Sequence, residues 1–263
     1  MTIEQLAKSL DELIPNTLSE PWDNDGRMII PHPETEVKRV LCALDCTTEA
    51  INAARAWGCN VIVTHHPLIF KPLGSILPTD SVGKRVLSCI KNGIAVLSYH
   101  TRLDIMDGGV NDTLANLIGL KNISSFIPYG RIGETSEHCF LAFAESVANA
   151  LHISESDMQI VNATGNTSRV ALVSGCGKDE INAAIAAGAD TFVTGEVMHN
   201  HLIDCKELGL NLICATHYAT ERIVLPVLSE IIERAGARAD IFMFKPSDEF
   251  GFPIIPSVIT EEE

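Results

Sequence analysis

The stretch "VIVTHHPLIF", residues 61–70, decides how the chain folds. Val61, Ile62 and Val63 are β-branched and apolar, the composition of a strand buried on both faces. Pro67 stops its continuation, and two adjacent histidines, His65 and His66, stand at its tip. Burying a pair of imidazoles without partners is costly, so this strand end is expected to carry chemistry as well as packing.

Outward from it, strand and helix patterns alternate. Residues 37–45 read as strand and 47–57 as helix, with Thr47 or Thr48 as the cap. After the strand at 60–64 the pattern gives helix 80–92, strand 94–99 and helix 110–119. The stretch 122–137, rich in Pro, Gly and polar residues, reads as loop. Beyond it come strands 138–144 and 169–174, helix 178–187, strand 190–194 and helix 199–208. Strand 211–215, helix 219–235 and a last strand near 240–244 complete the order. The N-terminus reads as an amphipathic helix with Ile3, Leu6, Leu10 and Leu13 on one face. Apolar strands separated by such helices predict an α/β fold with mostly parallel sheets flanked by helices.

A repeat is visible around the opening stretch. "INAARAWGCNVIVTH" (51–65) aligns without a gap to "INAAIAAGADTFVTG" (181–195). Further on, "SYHTRLD" ending at Asp104 aligns with "ATHYATE" ending at Glu221, so that His100-x-x-x-Asp104 matches His217-x-x-x-Glu221. Two pseudo-repeated lobes are expected: 1–124, carrying THHP and HTRLD, and 125–263, carrying GEVMH and HYATE. Ligands of parallel α/β sheets bind at the carboxyl ends of strands, which puts a site between the lobes.

Composition narrows the function. A formal charge of −15, from 19 Lys+Arg against 34 Asp+Glu, excludes wrapping of nucleic acid but not a local basic pocket for a small anion. No apolar run has membrane-spanning length and the N-terminus lacks a signal-peptide core, so a cytoplasmic protein without membrane partners is expected. The eight cysteines include no CxxC and sit mostly in apolar segments, which predicts buried reduced thiols.

Neutral imidazoles and ionised carboxylates are ligands for Zn, Mn, Fe or Ni, and no thiolate cluster competes. Each histidine alone reads more simply as a hydrogen-bonded rim residue, and Asp104 or Glu221 as a residue of a first helical turn. Their recurrence at matching strand ends favours a metal site. His65, His66, Asp104, His217 and Glu221 give five ligands, with His100 a sixth or a neighbour. Five such side chains suit two divalent ions about 3.5–4 Å apart, a hydrolytic arrangement.

Together "VLCALDCTTEAINAARAWGCNVIVTHHPLIF", "YHTRLDIMDGGVNDTLA", "GRIGE", "INAAIAAGADTFVTGEV" and "THYATE" resemble the Nif-three-like (YbgI-like) family, the GTP cyclohydrolase 1 type 2 homologues. The resemblance runs from "PWDNDG" to about residue 255. It implies a two-lobed α/β protein, a toroidal homohexamer and a dinuclear centre held by His65, His66, Asp104, His217 and a bridging Glu221. It implies that His100 stands beside the metals for proton transfer, and that a small heterocyclic substrate, possibly a nucleotide, is hydrolysed. A metal-delivering or scaffolding ring without enzymatic activity, and a phosphoesterase, are the alternatives. Some members carry a domain between the halves; the span 122–168 leaves no room for one.

Departures from the family pattern fall outside the ligands. Arg27 stands for a leucine, Arg102 for an asparagine in HTNLD and Asn200 for a histidine in GEVxHH. Arg102 is read as a phosphate contact or a solvent-facing charge. Trp22, Asp23 and Asn24 are read as a loop over the site or as packing for the first helix. Arg131 is a surface or salt-bridge residue or a phosphate contact, and "SGCGKDE" (174–180) a turn with a helix cap. His199 is expected to support the ligands and His201 to lie on the surface.

Overall fold

The structure, a computed structural model, describes residues 1–243. In chain order the elements begin with α1 (Ile3–Leu13), β1 (Gly26–Ile29), β2 (Val40–Ala43), α2 (Thr48–Ala56), β3 (Val61–Thr64), α3 (Ser81–Lys91) and β4 (Ala95–Ser98). Next come α4 (Thr101–Ile105), α5 (Val110–Leu117), β5 (Lys121–Ile127), β6 (Gly130–Glu134), α6 (Phe140–Leu151), β7 (Gln159–Val161) and β8 (Arg169–Val173). The rest are α7 (Ile181–Ala186), β9 (Thr191–Thr194), α8 (His199–Leu208), β10 (Asn211–Cys214), α9 (His217–Glu221), α10 (Leu225–Arg234) and β11 (Ala239–Phe242). Residues 244–263 lie outside the described part, and with them the end of the last expected strand and of the family resemblance.

Two compact units result: residues 1–103 with those from 225, and residues 104–224. Residues from 225 join the first unit because β11 returns to pair in parallel with β2, Ala239 opposite Val40.

The first unit's sheet runs β1-β4-β3-β2-β11, all parallel except β1 at the edge. VIVT is buried at every position, as a central parallel strand must be. One sheet face packs Leu41, Ile62 and Val96 against Ala50, Ala54 and Val86. Thr47 caps α2 by accepting from Ala50 N, a bond worth about 1 kcal/mol. α1 opens on a capping box between Thr2 and Gln5 and buries Ile3, Leu6, Ala7 and Leu10.

The second unit's sheet runs β5-β6-β8-β9-β10-β7. Only β8, β9 and β10 are parallel; β5, β6 and β7 join antiparallel. The expectation of mostly parallel sheets is corrected here: this sheet is mixed. The supposed loop 122–137 is largely the β5–β6 hairpin, turning at Pro128-Tyr129. The supposed strand 138–144 is the start of α6, whose Phe140, Phe143, Ala144, Val147, Ala148 and Leu151 recur at helical spacing and are all buried. Each sheet is flanked by helices. No helix among the described residues is long and apolar enough to cross a membrane.

Candidate metal centre

In the first unit the three histidines of the opening motifs come together. The backbone of His65 and His66 extends the β3 ladder, donating to Ala43 O and Leu44 O, and Tyr99 N donates to Thr64 O beside them. Side-chain donor atoms of His65, His66 and His100 all lie within 4.8 Å of one another. Ring centroids are 5.0 Å apart for His65–His66, 5.3 Å for His65–His100 and 5.8 Å for His66–His100.

Each ring is anchored through Nδ1. His65 Nδ1 lies 3.0 Å from Tyr99 O, His66 Nδ1 2.9 Å from Asp45 Oδ1 and His100 Nδ1 2.9 Å from Asp23 Oδ1. A carbonyl or a carboxylate accepts only, so Nδ1 carries the hydrogen and the Nε2 lone pair is the donor for a cation. Carboxylate–imidazole–metal chains are built in this way, and the outer partner fixes tautomer and ring angle.

The side chain of Asp23 is buried. Its carboxylate also accepts from Thr101 N at 3.0 Å and Thr101 Oγ1 at 2.7 Å. Burial alone would raise its pKa; the bond and charge of His100 and the two Thr101 bonds outweigh that and lower it to about 2. Asn24 donates to Ile69 O, and Trp22 meets Phe70 and His100 edge-on. The WDN segment is therefore part of the histidine cluster rather than packing for α1.

Arg102 contacts neither solvent nor open space. It is 2 % exposed, donates Nε and Nη2 to Asp25 and Nη1 to Asp11 and Ile14 O, and lies 4.7 Å over the Tyr99 ring. Arg27, the other arginine that departs from the family pattern, donates to the same Asp11 and to Glu4. Both departures thus belong to one ionic network that fastens α1 and the Asp25 loop to the start of α4. Neither reading expected for Arg102 holds.

In the second unit, α9 begins after β10 at Thr216, which has φ +64° and caps the helix by accepting from Ala219 N. The i, i+4 spacing stacks His217 on Glu221, which is 4 % exposed. His217 Nδ1 lies 3.1 Å from Glu196 Oε1, and Nε2 lies 3.1 Å from Glu221 Oε2. A neutral ring has one N–H. Meeting carboxyl groups at both nitrogens takes an imidazolium, a protonated carboxyl, or a cation held between Nε2 and Glu221.

The floor of this pair is glycine. Gly175 has φ +63°, and a Cβ there would run into Glu221 Oε1 and stand 3.2 Å from His217 Nε2. A Cβ on Gly195 would meet Gly175 O and would lie 2.7 Å from His217 Cα. Gly175 N donates to Thr220 Oγ1, and Glu196 N to Gly175 O. Asn111 links this floor to the remaining acid: its Oδ1 accepts from Ser174 N, and its Nδ2 donates to Asp104 O. Asp104 itself is half-buried on α4.

These partners were missed in the sequence. "SGCGKDE" supplies Gly175, close beneath a histidine and a carboxylate, rather than a simple turn. Of the readings for Arg131 the salt bridge holds: it is 3 % exposed and bound to Asp112 and to backbone carbonyls, which fixes the start of β6. His199 is exposed, and His201 Nδ1 accepts from Met198 N at the start of α8. The exposure of His199 departs from the supporting role expected of it, whereas His201 stays partly exposed at the surface. The donor sets of both units, imidazole and carboxylate without thiolate, fit a divalent transition ion.

The whole chain has relatives. A GTP cyclohydrolase 1 type 2 homolog of Clostridium perfringens is 31% identical over 253 residues, 91% of this chain and 93% of that protein. The crystal structure of Staphylococcus aureus hypothetical protein SA1388 matches with TM-score 0.82 and 29% identity over 92% of this chain and 96% of that one. The Bacillus cereus protein related to NIF3 shares the fold, with TM-score 0.86 at 22% identity over 97% and 99% of the two chains. The family model Duf34/NIF3 (NGG1p interacting factor 3) matches residues 1–248, a span that takes in THHP, HTRLD, GEVMH and HYATE together. With every one of those motifs inside the match, the chain belongs to the DUF34/NIF3 family.

Proposed function

We propose that the protein is a dinuclear metal-dependent hydrolase acting on a small heterocyclic or nucleotide substrate. His65 and His66 of the first unit, and Asp104, His217 and Glu221 of the second, are its ligands, with Glu221 as the bridge. The observation that carries this is His217, with a carboxylate at each ring nitrogen above a glycine floor that leaves no room for a side chain. The relatives' name, GTP cyclohydrolase 1 type 2 homolog, supports a nucleotide-type ring as the substrate.

Two bound divalent ions would supply Lewis acidity and hydroxide near neutral pH. The chain's own residues do the rest. Asp45 and Glu196 hold His66 and His217 in the tautomer that offers Nε2. Asp23 does the same for His100, which makes its Nε2 the proton acceptor or donor beside the substrate.

Metal analysis of freshly purified protein tests the reading: about two divalent ions per chain are expected. His65→Ala and Glu221→Ala are each expected to lower that count and to abolish ring opening of GTP by metal-loaded protein. One ion or none per chain in the unaltered protein rejects the dinuclear centre. Full loading without turnover of GTP or of other nucleotides rejects the hydrolase in favour of metal delivery. The homohexamer implied by the resemblance is part of the proposal, and a light-scattering mass near the 28.5 kDa of one chain removes it.

A further inference from the structure

Two thiols of the first unit meet outside the histidine cluster. Cys46 follows β2 in the turn that leads to α2, and Cys89 lies near the end of α3. Both belong to one hydrophobic cluster, Cys46 at 2% exposure and Cys89 at 0%, and their side chains are hydrogen-bonded to each other. The unit's other two cysteines are engaged elsewhere: Cys42 Sγ donates to Leu225 O at 3.7 Å, and Cys59 lies in the field of Asp240 and Arg39. Thiols already in contact need a side-chain rotation, rather than a backbone movement, to reach the ~2 Å of a disulfide.

Arg85 completes the arrangement. It stands one helical turn before Cys89 on α3, and it donates Nη1 to Cys46 O at 3.2 Å and Nε to Ser81 O at 3.1 Å. The guanidinium is thereby fixed beside both cysteines. The bond from Cys46 lowers the pKa of the Cys89 thiol against the effect of burial, and the charge of Arg85 adds to it. The same bond, together with burial, pushes Cys46 up. The shared proton therefore stays on Cys46, and the thiolate forms on Cys89. Cys46 and Arg85 also belong to the wall of a cavity of about 430 Å³. Hydrogen peroxide, little larger than a water of ~30 Å³, fits there where bulky reagents do not.

We propose that Cys46 and Cys89 are a modification site for hydrogen peroxide, which closes them into a reversible disulfide between the β2–α2 turn and α3. The Cys89 thiolate attacks one peroxide oxygen, the O–O bond breaks, and the leaving hydroxide takes a proton to become water. The sulfenic acid left on Cys89 is attacked by the Cys46 sulfur, which gives up its proton; the S–S bond forms and a second water leaves. The two sulfurs lose one electron each and the peroxide gains two. A dithiol reverses the bond by exchange and is itself oxidised. The loop so closed, residues 46–89, contains β3 with His65 and His66, and Cys46 adjoins Asp45, whose carboxylate holds His66 Nδ1. Neither cysteine is among the proposed ligands, and the oxidation is read without turnover, so it stands or falls apart from the hydrolase.

Purified protein is treated with hydrogen peroxide at doses that leave its near-UV circular dichroism unchanged. The remaining thiols are then blocked with an alkylating reagent, and the digest is mapped by mass. A linked peptide pair joining Cys46 to Cys89, lighter than the two free peptides by two hydrogens, is expected. Dithiothreitol is expected to restore both thiols. Cys89→Ala abolishes the link, and Arg85→Gln slows its formation several-fold. The proposal is overturned if the exposed Cys139 and Cys176 are oxidised while Cys46 and Cys89 stay unlinked. It is equally overturned if either residue pairs with another cysteine, if dithiothreitol does not restore the thiols, or if Arg85→Gln reacts at the unaltered rate. Where a variant does not fold, the map of the unaltered protein decides alone.

Discussion

His100 and His217 each follow a parallel strand, and each stands four residues ahead of a carboxylate, yet their surroundings are built by different means. At His100 the tools are charges: buried Asp23 takes the ring and Thr101, and Arg102 beside it is saturated by Asp25 and Asp11. At His217 the tools are missing side chains: Gly175 and Gly195 let backbone and carboxylate approach to distances that a Cβ would forbid. The difference can be read in the two similar stretches of sequence, where Gly195-Glu196 stand at the positions matching His65-His66. In the first unit the strand tip supplies donors. In the second it supplies the space and the carboxylate that orient a donor from the next helix. One end should respond to loss of charge, the other to gain of volume.

The largest effect is expected at Arg102. Arg102→Ala leaves Asp25, with its side chain 6% exposed, without its cation and Asp11 with Arg27 alone, and removing one member of a buried pair costs about 3–5 kcal/mol. A urea melt should show that loss, and Arg102→Lys should recover little, because an ammonium cannot repeat the fork. A cost below about 1 kcal/mol would mean that the network is solvated and that charge does not build this end.

Gly195→Ala is next. The new methyl group meets backbone on several sides, which cannot rotate away, so about 2–3 kcal/mol of overpacking is expected. Gly58→Ala is the opposite case: unlike Gly195, Gly58 has positive φ, +74°, but nothing lies within 4 Å of its added Cβ, so only backbone strain of about 1 kcal/mol applies. A cost at Gly195 no greater than that at Gly58 would show that the backbone beside His217 yields to the new methyl group, and that close approach is not what glycine provides there.

Asp23→Asn sharpens the charge side. It keeps the shape but weakens bonds to His100 and Thr101, at about 1–3 kcal/mol. Because the folded pKa is about 2, below the ordinary 3.8, the carboxylate's contribution is fully present above the ordinary value and lost as pH falls toward 2. The melting-temperature gap between Asp23→Asn and the unaltered protein should be constant above about pH 5 and close between pH 4 and 2. A gap that ignores pH would place the effect in packing.

How much of this was legible in the sequence follows the same division. VIVT and its neighbours could be read as buried parallel strands because burial on both faces leaves a continuous apolar run. The motif histidines were legible because imidazole pairs at strand tips are rare enough to demand a use. The run at 138–144 was misread because short apolar stretches do not separate strand from helix, and the deciding residues, Val147, Ala148 and Leu151, lie beyond it. The β5–β6 hairpin was hidden because β5 is largely exposed and polar at Ser124 and Ser125, and the buried β6 carries two glycines and an arginine in place of an apolar run. Nothing local marks Asp23 as a partner of His100, 77 residues away, or Arg102 as a partner of Asp11. Such pairings depend on the topology that brings β1 beside β4.

The smallest effect is chemical and reads the two units separately. All eight cysteines are free thiols; Cys42, Cys46, Cys59 and Cys89 of the first unit are buried, as are Cys205 and Cys214, while Cys139 and Cys176 are exposed. Burial pushes Cys59 and Cys205 up to about 11 and Cys214 to about 12, so little thiolate forms there near pH 8. An aromatic disulfide reagent at that pH should modify two thiols quickly and the other six only on unfolding. In Arg102→Ala, mass mapping in mild urea should find Cys42, Cys59 and Cys89 gaining reactivity ahead of Cys205 and Cys214; in Gly195→Ala the order should reverse. If both variants expose the two sets together, the ends differ in construction but share one cooperative transition, and the contrast between charge and volume is local to the histidines.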